Sequence, residues 1–311
     1  MALWPFRQAP AEPNGCTLSG EDAAAMVRKL EIRARRLMDS PMLGRYDSLF
    51  RGHGIEFAEV RKYEPGDPFQ AIDWKVTARM GRPFVKRFVE ERELTVLLLL
   101  DVSRSTNFGS RTRTKLELGI EVASVLAFVA GRKNDQVGLI LFSDRVERLV
   151  EPARGQHHLR RLLYEMVTSK PEGSATDLGV ALTTASRHLR RRSLVFVLSD
   201  FQGPAFERPL SALARRHEVV AVHLEDPAES ELPATSLVEF MDPETGVRDV
   251  LDLRSPRVRD AFAQRRAAES DDLRRVLRKA GCDHLLLRTE EPWVPNLFTF
   301  LAARSRRRRA G

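Results

Sequence analysis

The run Thr95-Val96-Leu97-Leu98-Leu99-Leu100 is apolar at every position after its first residue and stops at Asp101-Val102-Ser103-Arg104-Ser105. A strand with one wet face alternates apolar and polar residues. This one does not, so both of its faces need cover, as in a parallel sheet with helices on either side. In such sheets, ligands bind beyond the carboxyl ends of the strands. A carboxylate and two hydroxyls at alternating positions of one short loop suit a hard divalent cation.

The rest of the chain keeps that rhythm. A helix is expected around 113–131, ended by Gly131, then a strand at Gln136–Phe142 and a short extended piece at 146–150. Helices at 156–167 and 178–189, a strand at 194–198, a helix at 205–215 and a strand at 218–224 follow. The alternation predicts an α/β fold, a doubly wound and mainly parallel sheet. Segments 237–241 and 247–253 flank Asp242-Pro243-Glu244-Thr245-Gly246, a hairpin signature. A charged helix at about 256–280, a strand at 284–287 and a helical segment at 292–304 close the α/β region.

Upstream, residues 1–18 read as a leader. Asp22–Met38 reads as a helix with Ser19 at its N-cap, ended by Pro41-Met42-Leu43-Gly44. Residues 44–93 form a smaller β-containing block, with strands expected at 54–60 and 83–90 and a turn at Glu64-Pro65-Gly66-Asp67-Pro68. The division is therefore 1–43 leader and helix, 44–93 β-containing block, 94–303 α/β domain, and 304–311 basic tail.

The formal net charge is +8, but without Arg304, Arg306, Arg307, Arg308 and Arg309 it falls to +3. The body is close to neutral, and the cluster reads as a solvated, frayed tail. Its sharper alternative is adhesion to nucleic acid or an anionic membrane surface. Two cysteines, Cys16 and Cys282, make neither a disulfide framework nor a zinc set. No apolar run approaches the roughly 18 residues of a membrane helix, and the first residues lack a secretory pattern. A cytoplasmic protein is expected.

Catalysis is not expected. A dehalogenase-like phosphatase would need a second Asp two residues after Asp101 as its general acid, where this chain has Ser103. Neither a phosphate-binding Gly-x-x-x-x-Gly-Lys-Ser/Thr loop nor a Gly-x-Ser-x-Gly elbow is present. His157 and His158 are adjacent, so their rings would diverge on a helix and make a poor zinc site.

Two further loops supply oxygen ligands. Gly173-Ser174-Ala175-Thr176-Asp177 opens the helix at 178, and Ser199-Asp200 ends an apolar strand. If the loops share one sheet edge, Asp101, Ser103, Ser105, Thr176 and Asp200 could surround one ion. The hydroxyls would bind directly and the carboxylates would hold bound waters. Mg²⁺ is the first expectation, with Mn²⁺ and Ca²⁺ as alternatives. The plainer reading is that Asp101 and Ser103 merely cap the next helix.

The three motifs resemble the metal-ion-dependent adhesion site of von Willebrand factor A domains: Asp101-x-Ser103-x-Ser105, then Thr176, then Asp200. The resemblance implies a protein-binding site whose ion takes a partner's Asp or Glu in its open position. Further upstream, Gly52-His53-Gly54-Ile55-Glu56-Phe57, Arg61-Lys62-Tyr63-Glu64-Pro65-Gly66-Asp67 and Ile72-Asp73-Trp74-Lys75-Val76-Thr77-Ala78-Arg79 resemble a bacterial family catalogued as domain of unknown function fifty-eight. Its members join this block to a von Willebrand A-like domain and are commonly encoded beside MoxR-type AAA+ ATPases. The resemblance implies an adaptor or co-chaperone whose partner is that ATPase, its client, or both, with no small-molecule substrate. Within the upstream block, Trp74 is expected as a packed anchor, and Asp73, Lys75 and Arg79 as salt-bridged structure. Arg61, Asp67 and Asp73 are the alternative docking face.

Overall fold

The computed structural model describes residues 19–38, 56–89, 94–173, 175–230, 232, 237–241 and 248–310. The leader, the segment 39–55 and the hairpin turn 242–247 lie outside them, as does Ser174. In chain order the elements are α1 (Gly20–Met38), β1 (Glu56–Lys62), α2 (Trp74–Met80), β2 (Phe84–Val89), β3 (Thr95–Asp101), α3 (Lys115–Arg132), β4 (Gln136–Phe142) and β5 (Val146–Ala153). There follow α4 (Gln156–Thr168), α5 (Leu178–His188), β6 (Leu194–Ser199), α6 (Glu207–Arg216), β7 (Glu218–Glu225), β8 (Leu237–Met241), β9 (Arg248–Asp252), α7 (Pro256–Lys279), β10 (Asp283–Arg288) and α8 (Trp293–Ala310).

Six strands form the main sheet in the order β10-β7-β6-β3-β4-β5. All neighbours are parallel except β5, which runs antiparallel to β4 at one edge. The apolar run divides its side chains between two cores. Val96, Leu98 and Leu100 pack with α1, α3, α4 and α8, while Leu97 and Leu99 pack with α5, α6 and α7. Each buried leucine contributes about 2 kcal/mol relative to exposure. No polar residue could take its place on either face, and this explains the missing alternation.

From β3 the chain moves to β4 and β5 on one side, then crosses back to β6 on the other. The loops after β3 and β6 therefore leave in opposite directions and open a crevice at the carboxyl ends of those strands, the usual ligand position in doubly wound sheets. Gly119 of α3 assists here. A β-carbon on it would stand 2.9 Å from Leu100 Cδ1, so glycine lets α3 approach the sheet closely.

Two helices differ from expectation in what they do. α1 is part of the main core, with Ala23, Val27, Leu30 and Ala34 buried against it. Its N-terminus is capped as expected, because Ser19 Oγ accepts the Asp22 N–H at 3.1 Å. At the other end of the chain the tail is not frayed: α8 continues to Ala310. Arg304 is buried and donates to Asp283 at 2.7 Å and Glu218 at 2.8 Å, and Arg307 also pairs with Asp283. The basic cluster is thus partly structural, because β7 and β10 present carboxylates to the last turns of the helix.

β1 and β2 form a separate antiparallel pair, and β8 and β9 form another. The upstream block corrects the expectation for Trp74, which is 64% exposed. Asp73 caps α2 by accepting the Lys75 and Val76 N–H groups. The half-buried Val76 and Thr77 face inward, Thr77 Oγ1 accepting the Phe84 N–H, and the indole is left outside. A two-stranded sheet with a seven-residue helix has too little surface to enclose it. Lys75 and Arg79 are exposed. Arg61 and Asp67 pair at 2.6 Å, bracing the turn in which Asp67 N–H donates to the Glu64 carbonyl.

Candidate metal-binding site at the sheet edge

Asp101 is the last residue of β3 and is fully buried. Its Oδ1 accepts the Ser103 N–H at 2.9 Å, and its Oδ2 accepts the Ser199 hydroxyl at 2.6 Å. The chain then turns through a short 3₁₀ helix at Arg104–Asn107, pinned by the Thr106 hydroxyl on the Ser103 carbonyl at 2.7 Å. That turn brings Ser103 Oγ and Ser105 Oγ to 3.0 Å from each other, both buried.

Asp200 follows β6 and is also buried. Its Oδ1 accepts the Gln202 N–H at 3.2 Å, and the Ser105 hydroxyl stabilises its ionised form. The backbone here is strained. Phe201 has a φ of 56°, a left-handed conformation that costs a side-chain-bearing residue about 1–2 kcal/mol and is often found at functional sites. Phe201 is held there by its N–H bond to Ser199 Oγ at 3.0 Å and by ring contacts with Phe206 and His223.

Thr176 is buried in the loop before α5. The loop is tied to the end of β4, next to β3, by the Asp177 N–H on the Ser143 carbonyl at 2.8 Å. Glu147 of β5 accepts the N–H groups of Glu172 and Gly173 and the Ser143 hydroxyl. From the other side, Gly203 passes so close that a β-carbon on it would stand 2.8 Å from the Thr176 carbonyl oxygen. Its φ of 134° also requires glycine. All three loops therefore reach one sheet edge, with Asp101, Ser103, Ser105 and Asp200 in one bonded group and Thr176 in the adjoining loop. The simpler alternative, helix capping by Asp101 and Ser103, does not hold. α3 is capped by Thr114 in a capping box with Glu117, and Ser103, which precedes the 3₁₀ turn, makes no side-chain cap bond.

The sequence reading missed a buried cation. Lys115, the first residue of α3, donates from Nζ to Asp200 Oδ2 at 2.8 Å and to Glu229 Oε1 at 2.7 Å. Glu229 ends a 3₁₀ turn after β7, where its other oxygen accepts the Asp226 N–H at 3.0 Å. A lysine at a helix N-terminus opposes the helix dipole. That local violation was visible in Thr114-Lys115-Leu116-Glu117 and was the one signal available.

The electrostatics separate the two carboxylates. Burial raises the Asp101 carboxyl well above the ordinary range, and the Asp200 charge raises it further. Burial would raise Asp200 as well, but the Lys115 ammonium overrides this and holds it low. Burial acts to lower Lys115, and the Asp200 and Glu229 carboxylates more than reverse it. The donor set has the chemistry of a hard-cation site: hydroxyl and carboxylate oxygens in a buried crevice with surplus negative charge. Among the described residues no three His, Cys, Asp or Glu side chains converge into a metal-holding group, so an ion here would rely on the hydroxyls. His158 is structural, its Nε2 lying 2.7 Å from the Val137 carbonyl oxygen.

The fold is a doubly wound α/β sheet with hydroxyl and carboxylate side chains at its switch point. More particularly, the chain belongs to the family described as "Protein of unknown function DUF58", whose profile matches residues 59–272. It is 35% identical over 291 residues to the uncharacterized protein Rv1480 of Mycobacterium tuberculosis, covering 93% of this chain and 92% of that one. Among solved structures it is similar to an aerotolerance-related membrane protein from Bacteroides fragilis, at 15% identity and a TM-score of 0.47, over 69% of this chain and 99% of that one. It is also similar to a von Willebrand factor type A protein from Catenulispora acidiphila, at 13% identity and a TM-score of 0.39, over 70% and 43% of the two chains. No described helix is long and apolar enough to cross a membrane.

Proposed function

We propose that this protein is a binding module and not an enzyme, and that its sheet-edge site holds Mg²⁺ and takes an acidic side chain from a protein partner. The observation that carries the reading is the bonded group of Asp101, Ser103, Ser105 and Asp200 at the switch point. Ser103, Ser105 and Thr176 would hold the ion directly, with Asp101 and Asp200 steadying its waters. An ion bound mainly by neutral oxygens keeps much of its positive charge, and that charge would attract a carboxylate. Family membership supports the further reading that the protein is an adaptor or co-chaperone for a MoxR-type AAA+ ATPase, its client, or both, in the bacterial cytoplasm. The test is capture of partners from host lysate by tagged protein in Mg²⁺, in EDTA, and with Asp101→Ala. Retention of an AAA+ ATPase by the wild type in Mg²⁺ alone is expected. Equal retention in all three conditions would move the interface away from the ion.

A further inference from the structure

We propose that Lys115 is a built-in counter-cation that shares Asp200 with the divalent ion, keeping the ion-free site folded and weakening ion binding until a partner carboxylate arrives. The inference rests on the metal-site reading above and concerns how that site is regulated. Lys115 is fully buried, and its ammonium donates to Asp200 and Glu229. Its place at the start of α3 opposes the helix dipole, so local helix chemistry does not account for it. Gly119 lies one turn later on the same face of α3 and lets the helix approach the sheet over Leu100, which carries the ammonium to the crevice.

The consequence follows from charge. Asp101 is bonded by Ser103 and Ser199, both neutral, whereas Asp200 is bonded by an ammonium. Without a divalent ion, Lys115 balances Asp200. With one, two cations share the same carboxylate and repel each other in a crevice of low polarity. Glu229 is not among the residues that would hold the ion or its waters, and it would keep the ammonium paired while Asp200 steadied the ion's waters. A carboxylate from a partner supplies the negative charge the crowded site then lacks, so ion and partner bind cooperatively.

The experiment is calorimetric titration of the full chain with MnCl₂, together with thermal melts in EDTA and in Mn²⁺. Wild type, Lys115→Met and Glu229→Gln are compared. Lys115→Met is expected to bind Mn²⁺ at least about ten-fold more tightly than wild type, an order-of-magnitude expectation from removing one adjacent charge. Its melting temperature should be lowered in EDTA and recovered in Mn²⁺, while that of wild type changes little. Glu229→Gln leaves the ammonium with Asp200 as its remaining carboxylate and should bind Mn²⁺ several-fold more weakly. This variant keeps the test decisive if Lys115→Met does not fold. Wild-type binding with unchanged or weaker affinity in folded Lys115→Met, or unchanged affinity in Glu229→Gln, overturns the role of Lys115 alone. Absence of binding in wild type and both folded variants overturns the metal site itself. Binding by Lys115→Met but not by wild type supports the proposal in its strongest form.

Discussion

The sheet edge around Asp101 and the block at 56–89 invert each other. At the edge, five charged or hydroxyl-bearing side chains named from the sequence are buried, along with a lysine. In the block, Phe69, Trp74 and Met80 are 70%, 64% and 61% exposed. Residue type does not account for the difference; the number of layers does. The main sheet has helices on both faces, so its strand ends are enclosed and polar groups there must satisfy one another. The two-stranded block lacks a second layer among the described residues, and its large side chains remain outside.

The comparison can be broken or sharpened by measurement. The largest effect is expected for Leu98→Ala, a cavity in the fully enclosed face of β3, which should cost about 3–4 kcal/mol in urea unfolding. A loss below about 1 kcal/mol would mean that the strand is not covered on both sides.

Acid probes the same enclosure through one buried ring. His223 is buried beside His284 and Phe201, its Nδ1 has no hydrogen-bond partner among the described residues, and burial pushes its pKa down to about 3. Above pH 6.5 the ring is neutral in both folded and unfolded chains. Below it the unfolded chain takes up a proton that the folded chain refuses until about pH 3. Stability should therefore fall with pH across that window, by up to about 1.4 kcal/mol per unit. His223→Phe should flatten the slope; a slope unchanged from wild type would show that the ring is accessible to protons in the fold.

Removing the anchor of α8 comes third. Arg304→Ala should destabilise by about 2 kcal/mol, because it leaves Asp283 and Glu218 without their buried partner. A neutral result would restore the frayed-tail description. The smallest change belongs to the block: Trp74→Ala should alter stability by less than about 0.5 kcal/mol. Asp73→Ala should cost about 1 kcal/mol through the lost cap. A large loss at Trp74 would show that the indole is covered in solution and would close the gap between the two regions.

Much of this was legible in the chain. The unbroken apolar run announced a doubly covered strand, and Asp101, Ser103, Ser105 and Asp200 meet as their strand-end positions implied; the helix expected to stop at Gly131 runs one residue past it to Arg132, and the left-handed residue beyond it is Asn134. Trp74 and the terminal arginines were misread because packing partners distant in sequence decide their surroundings. Lys115 and Glu229 were overlooked for the same reason, since 114 positions separate two side chains that lie 2.7 Å apart.

Local periodicity and strand-end chemistry, written in consecutive residues, were enough to determine the α/β layers and the sheet edge at which Asp101, Ser103, Ser105 and Asp200 converge. Whether those residues face an empty crevice or a resident ammonium, and whether an aromatic side chain is buried, was decided only by the tertiary structure. Both depend on which distant segments converge, and a buried charge is stable only where the complete fold supplies its partner.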